Sequence, residues 1–344
     1  MKFFRTALLV LIATPLLFGG FLVLYIFFGV PQTPATVEVR VEQGEPFAAV
    51  VRKLREQRVV ANETLVFLWA RVTGSEKKIQ RGLYRFDLPL SPREVLKRLV
   101  TGQGIFHRVT IPEGLTLTEV SDLLANMQVV NRERFLAEAV NPELLARLGL
   151  EEKSVEGYLF PSTYQFIPET PEREIITAMV QQFRKAASPL FDRSTSGGPL
   201  TPHDIVTLAS IIEKETGIDA ERPLVSAVFH NRLKLKMPLQ SDPTVIYGLK
   251  NFDGKLTRKD LRDPTPYNTY VIAGLPPGPI CNPGLASIKA ALEPADVPFL
   301  YFVSKNDGTH LFSENLDAHT RGVKTYQPPR EPAPARRKVG ARRG

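Results

Sequence analysis

Residues Ile211 to Gly217, Ile-Ile-Glu-Lys-Glu-Thr-Gly, close an apolar stretch with two carboxylates, and the chain after them is rich in Asn, Gln, Tyr, Thr and Pro. A carboxyl at the rim of a buried helix has its charged form disfavoured, which raises its pKa toward the range useful to a general acid. A Glu-Lys-Glu run is ordinarily a solvated helix end. Here the apolar residues before it and the polar loop after it point instead to an acid/base residue beside a groove.

The groove is drawn from three strings: Pro238-Leu-Gln-Ser-Asp-Pro-Thr-Val-Ile-Tyr-Gly248, Thr265-Pro-Tyr-Asn-Thr-Tyr270 and Gly274-Leu-Pro-Pro-Gly-Pro-Ile-Cys-Asn-Pro-Gly284. Proline and glycine fix loop geometry, while Gln240, Asp242, Tyr247, Tyr267, Asn268, Tyr270 and Asn282 offer hydrogen bonds and flat apolar faces. Such a mixture suits a sugar chain, whose hydroxyls need polar partners and whose ring faces stack on aromatics; it also suits a peptide.

The helix that carries the carboxylates has a readable start and stop. Thr201 is placed as N-cap, Pro202 at the first helical position and Asp204 at the positive end of the dipole, and Gly217 ends it, giving a helix over 202–216. At about 100° per residue, Ile205, Leu208, Ala209 and Ile212 share one face with Lys214 nearly opposite. Glu215 falls roughly 70° from the centre of that face and Glu213 roughly 90° away on the other flank, so the two stand about 160° apart. They cannot face each other across one bond. The helix supplies one working carboxylate, and this geometry does not choose between them.

Before this helix the chain reads strand 37–41, helices 47–57 and 63–72, strand 82–86 and a helix from Ser91 to about Val100. Gly44, Val50 and Leu54 recur at the same spacing as Gly114, Val120 and Leu124, which predicts two strand-glycine-helix units in tandem. Helices are expected over 132–140, 142–148 and 171–187, a packed hairpin over 156–164 and a flexible turn over 194–198. Beyond the carboxylates come a helix over 223–235, a mostly looped 238–284 and a buried strand over 299–303.

The 344 residues, 43% hydrophobic and 23% charged, are enough for two or three folded units. The single cysteine, Cys281, excludes an intramolecular disulfide framework, and the five histidines lack metal-ligand spacing, so neither metal nor redox cofactor is expected. Residues 6–30 form an apolar run long enough to cross a bilayer, with Lys2 and Arg5 before it and no good cleavage site after it. The positive-inside preference puts residues 1–5 in the cytoplasm and everything after the span outside. The net charge of +8 is then directed at anionic envelope polymers or lipid headgroups, and no nucleic-acid motif is present. Residues 327–344, dominated by Pro, Arg, Lys, Ala and Gly, are expected to be a disordered basic tail.

Several strings together resemble the endolytic murein transglycosylase, or YceG-like, family: Glu156-Gly-Tyr-Leu-Phe-Pro161, Leu208-Ala-Ser-Ile-Ile-Glu-Lys-Glu-Thr216, Val228-Phe-His-Asn-Arg-Leu233, Leu239-Gln-Ser-Asp-Pro-Thr-Val-Ile-Tyr-Gly248, Pro266-Tyr-Asn-Thr-Tyr270, Gly274-Leu-Pro-Pro-Gly278 and Tyr301-Phe-Val303. They occur in the family's order between about Val37 and Thr325; the basic tail is outside the pattern. The resemblance implies an α+β protein of the bacterial plasma membrane, with a single-pass anchor (6–30), a LysM-like subdomain (37–105) and a catalytic domain (106–326). It implies that Glu215 is the catalytic residue, with peptidoglycan strands as substrate and peptidoglycan synthases as partners. Gln240, Asp242, Tyr247, Asn268 and Tyr270 are expected to contact substrate or orient Glu215. Glu213 is expected in a local salt bridge or a helix-end role and Lys214 in solvent, while Glu156 and Tyr158 either line the groove or stabilise their turn. The implied reaction is lytic cleavage that leaves a 1,6-anhydro end. A non-catalytic glycan-binding scaffold and a hydrolytic muramidase using Asp242 as second carboxylate are the alternatives.

Overall fold

A computed structural model of the chain describes residues 2–193 and 200–328. The predicted turn over 194–198, and the tail from 329 on, lie outside the described residues. The architecture is mixed helix and sheet, in two compact units: residues 1–109 with 164–170, and residues 110–163 with 171 onward.

In the first unit, α1 (Lys2–Phe28) is the one described helix long and apolar enough to cross a membrane. Leu16, Leu17, Phe21 and Leu24 lie exposed along it, which water would disfavour and lipid would not. Its last turns differ: Leu22, Tyr25 and Ile26 are buried in the unit's core, and the Tyr25 hydroxyl accepts the Asn62 N–H at 2.8 Å. The predicted strand-helix-helix-strand order is present. β1 (Ala35–Val41) pairs antiparallel with β2 (Gly82–Leu88), Val39 opposite Tyr84, and between them lie α2 (Phe47–Glu56) and α3 (Glu63–Val72). Alternation along the strands turns Val39, Val41, Tyr84 and Phe86 inward, onto Val50, Leu54 and Val66. Ser91 caps α4 (Pro92–Thr101) by accepting the Glu94 N–H.

β3 (His107–Ile111) and β4 (Ser162–Phe166) form a two-stranded sheet, and the unit boundary falls within both. The second repeat is realised: β3, Gly114 at φ +77° and α5 (Leu117–Asn126), started by the Thr116/Glu119 capping box. Residues 156–161 do not make the expected hairpin. They form successive turns leading into β4, whose partner is β3.

In the second unit α6 (Arg132–Ala139), α7 (Pro142–Arg147) and α8 (Glu172–Arg193) precede α9 (Pro202–Glu215). Every residue from Ile205 to Ile212 in α9 is buried, so it is a central helix enclosed all round, not a one-faced one. α10 (Arg222–Lys234) follows. The long stretch read as loop contains α11 (Asp242–Gly248) and a short turn of 3-10 helix at Asp260–Arg262. α12 (Leu285–Leu292) packs on α9. The strand expected at 299–303 is β5 (Tyr301–Ser304), hairpin partner of β6 (His310–Ser313), and only Val303 in it is buried. α13 (Leu316–Tyr326) ends the described chain.

Candidate active site

The two carboxylates of α9 go to opposite sides, as their angular separation requires. Glu213 is tied into the scaffold: its Oε2 accepts the Gly284 N–H at 2.9 Å and its Oε1 stands 3.5 Å from Arg222 Nη2, with the side chains only 7% and 6% exposed. Arg222 also donates to Ser287 and to Asp219, so this ion pair is fully engaged. Lys214 is exposed and donates to the Gly114 carbonyl at 3.2 Å.

Glu215 is the last residue of α9, and the chain turns extended at Thr216. Its carboxyl accepts the Ser241 hydroxyl at 2.5 Å. Burial pushes its pKa up to about 7; the Asp242 charge adds to that rise, while the Ser241 hydrogen bond, His310 and Arg232 oppose it. Near neutral pH this group is divided between acid and carboxylate, the condition for giving and then taking a proton.

The wall facing Glu215 is made by the chain on either side of Ser241. Gln240 adopts φ +52° and donates its N–H to the Thr269 carbonyl at 3.0 Å; Ser241 N–H goes to Thr269 Oγ1 at 3.0 Å, and Thr244 Oγ1 meets the same hydroxyl at 2.8 Å. Ser241, Thr244 and Thr269 are buried, so this polar clip fixes the Ser241 loop against the 265–270 loop. Next along, Asp242 is exposed and accepts the Tyr270 hydroxyl at 2.7 Å; burial first, and then this bond, raise that phenol's pKa.

Arg232 braces the floor. It is buried, donates to the carbonyls of Leu300 at 2.7 Å and Leu239 at 2.8 Å, contacts the Gln240 side chain at 3.4 Å and lies 5.2 Å over the Tyr301 ring. Its guanidinium fixes the backbone on both sides and puts a permanent positive charge near Glu215.

Of the residues expected to contact substrate or orient Glu215, Gln240 and Asp242 flank the Ser241 that bonds Glu215, and Tyr270 bonds Asp242. Asn268 is fully buried: its Nδ2 donates to the carbonyls of Asp260 and Asp263 and its Oδ1 accepts the Tyr270 N–H, so it shapes the loop. Tyr247 turns its hydroxyl to Glu156 at 3.1 Å and packs against Tyr267. Glu156 is itself buried, accepting the Leu117 N–H at the start of α5 and the Asn282 amide; burial pushes it up to about 7. Tyr158 bonds Glu152 and His203. Both hold the turn through these bonds, the second of the two roles expected for them. Ser241, Arg232 and Thr269 escaped the sequence reading. Each lies inside a string quoted above, Ser241 in 238–248, Thr269 in 265–270 and Arg232 in 228–233, but nothing in those strings singled it out from its neighbours. Among the described residues no cluster of three His, Cys, Asp or Glu is placed to hold a metal ion.

Residues 39–325 match the YceG-like family. The endolytic murein transglycosylase of Bacillus subtilis (strain 168) is 30% identical over 311 residues, 86% of each chain. That of Streptococcus pneumoniae serotype 2 (strain D39) is 29% identical over 304 residues, covering 78% of this chain and 54% of its own length. The crystal structure of a putative yceG-like protein from Listeria monocytogenes aligns with a TM-score of 0.58 at 29% identity, over 83% of this chain and 98% of that one.

Proposed function

Because the chain belongs to the YceG-like family over most of its length, we propose that it is an endolytic murein transglycosylase in which Glu215 alone performs the acid/base chemistry. It cuts the bond from N-acetylmuramic acid to N-acetylglucosamine within peptidoglycan strands. Protonated Glu215 gives its proton to the bridging oxygen as the bond from that oxygen to the anomeric carbon breaks. The carboxylate then takes the proton of the muramoyl 6-hydroxyl, whose oxygen bonds to the anomeric carbon and closes a 1,6-anhydro ring. Water is not consumed, and Glu215 ends protonated as it began.

The observation that carries this reading is a single buried carboxyl with its pKa raised to about 7 beside a polar loop wall. Hydrolysis would call for a second carboxylate about 5–9.5 Å away across the sugar. Asp242 is the candidate for that, but it follows Ser241 on the same wall and its Oδ1 accepts the Tyr270 hydroxyl.

The exposed apolar flank of α1 supports a bilayer anchor, with the N-terminus cytoplasmic and the enzyme on the outer face of the plasma membrane. Cutting there ends the elongation of nascent strands and sets the enzyme among the peptidoglycan synthases. The strand-helix-helix-strand order of the first unit supports a LysM-like glycan-binding role for residues 37–105.

The test is mass spectrometry of products after the full chain, in detergent, is incubated with uncrosslinked glycan strands, beside Glu215→Gln. Anhydro-ended fragments from the unmodified protein alone are expected. Reducing ends would move the reading to a muramidase, and strands bound but uncut by both proteins would leave a scaffold.

A further inference from the structure

No free tether joins α1 to the rest of the first unit. Leu22, Tyr25 and Ile26 are buried in the unit's core, and the Tyr25 hydroxyl accepts the Asn62 N–H. Gly29, at φ +71°, then turns the chain so tightly against α4 that an added Cβ would meet Pro92 Cδ at 3.2 Å. Gln32 closes the connection: its Nε2 donates to the Val59 carbonyl at 2.8 Å and its Oε1 accepts the Leu90 N–H at 2.8 Å. The last two turns of α1 are therefore fixed to α3 and α4, on which they pack.

This attachment limits where a bilayer can lie. A helix crosses a hydrocarbon core of about 30 Å with about 20 residues. Were the crossing to end at Phe28, the polar surface of the unit beside residues 22–28 would be drawn into hydrocarbon, where unpaired polar groups are costly. The stretch 3–22 has the required length and ends where the unit begins. Residues 23–28 then rise about 9 Å beyond it, close to the depth of one polar headgroup layer.

The residues at that level are those a membrane interface takes. Trp69 of α3 meets Phe27 edge-on, ring centroids 6.2 Å apart, and the Arg93 guanidinium of α4 lies 4.7 Å over the same ring. Trp69 is the one tryptophan of the chain, and Arg93 is exposed. Val72, one turn on from Trp69 along the same side of α3, is 73% exposed, and Phe28 is 79% exposed. Water disfavours these apolar side chains. At the outer edge of a bilayer they meet upper acyl chains, the indole sits at the polar boundary and the guanidinium reaches phosphate.

We propose that the face made by the end of α1, Trp69 and Val72 of α3 and Arg93 of α4 is seated in the outer headgroup layer of the bilayer that α1 crosses. This rests on the anchor reading above. The occupant is lipid of that same bilayer, because the face is continuous with the helix that enters it. The first unit is thereby held on the membrane surface, with no length of free chain between it and the lipid.

The experiment reconstitutes the full chain in phosphatidylcholine–phosphatidylglycerol vesicles that contain lipid with a nitroxide on the headgroup, high on the acyl chain or at the chain end. Tryptophan emission comes from Trp69 alone, and Trp69→Phe supplies the blank. Headgroup and upper-chain nitroxides are expected to quench it at least about twofold more than the chain-end nitroxide. A spin label on Val72→Cys reads the face directly, since the natural thiol of Cys281 is fully buried. That label is expected to collide more with dissolved oxygen, which concentrates in lipid, than with an aqueous nickel chelate. Trp69 emission untouched by every labelled lipid, strongest quenching from the chain end, or a Val72→Cys label fully open to nickel overturns the seating. Protein that nevertheless floats with the vesicles through alkaline carbonate keeps the anchor; protein stripped from them by carbonate refutes the anchor and the seating with it.

Discussion

Glu215→Gln is expected to abolish cleavage and, above neutral pH, to stabilise the second unit. The folded-state pKa of Glu215 stands at about 7 against an ordinary value of 4.5, with burial the largest cause. A raised carboxyl binds a proton in the native state that the unfolded chain has already released. The stability this provides is fully present below about pH 4.5 and lost as pH rises through about 7. The difference of about 2.5 pH units, at 1.36 kcal/mol each, amounts to about 3 kcal/mol well above pH 7. Glutamine keeps the shape and can still accept the Ser241 hydroxyl, but has no charge to bury. Hydrogen–deuterium exchange of the α9 amides reads this unit by itself. At pH 8.5 the variant is expected to exchange up to about 300-fold more slowly, the same energy expressed as a ratio, and near pH 4.5 the two proteins should converge. Equal protection at pH 8.5, or a difference that does not depend on pH, would refute the assignment of a buried, charge-strained carboxyl.

Ser241→Ala removes the hydroxyl that favours the charged form of Glu215, so the alkaline limb of the activity profile should rise by about half to one pH unit with kcat lowered, as read by anhydro-end release against pH. Asn282→Ala, in a residue with no exposed surface, strips a partner from the Leu159 N–H, the Leu115 carbonyl and Glu156 at once. It should cost about 3–5 kcal/mol, seen as a lowered denaturation midpoint of the second unit.

What could be read from the sequence is what is decided locally. Thr201, Pro202 and Asp204 start α9 where their chemistry requires, and Ser91 caps its helix. The separation of Glu213 from Glu215 follows from helical pitch alone. Asp242–Gly248 was missed as a helix because a proline at its start and a glycine at its end read equally as loop punctuation, and seven residues carry too little periodicity to decide. The types of Tyr247 and Asn268 were informative but their directions were not: one turns to Glu156, about ninety positions upstream, and the other to carbonyls within its own loop. Arg232 is braced at the site by the Leu300 carbonyl, just before the hairpin at the far end of the chain, a contact that no local pattern encodes.

Two glutamates of one helix, a residue apart, show how partners and not residue type set the chemistry. Glu213 is enclosed with a guanidinium 3.5 Å away and a main-chain N–H at 2.9 Å, so it holds α9 to Arg222 and to the Gly284 turn. Glu215 receives one neutral hydroxyl, and the cations near it are partly countered by Asp242, so burial dominates and the proton is held loosely near neutral pH. The same distinction separates Glu215 from Glu156, which is raised as far but is surrounded by the Leu117 N–H, the Tyr247 hydroxyl and the Asn282 amide. A carboxyl with each oxygen already taken by protein has no edge for a substrate. Glu215 combines a pKa raised to about 7 with one hydrogen-bond partner, and that combination suits it to exchange its proton with a sugar oxygen.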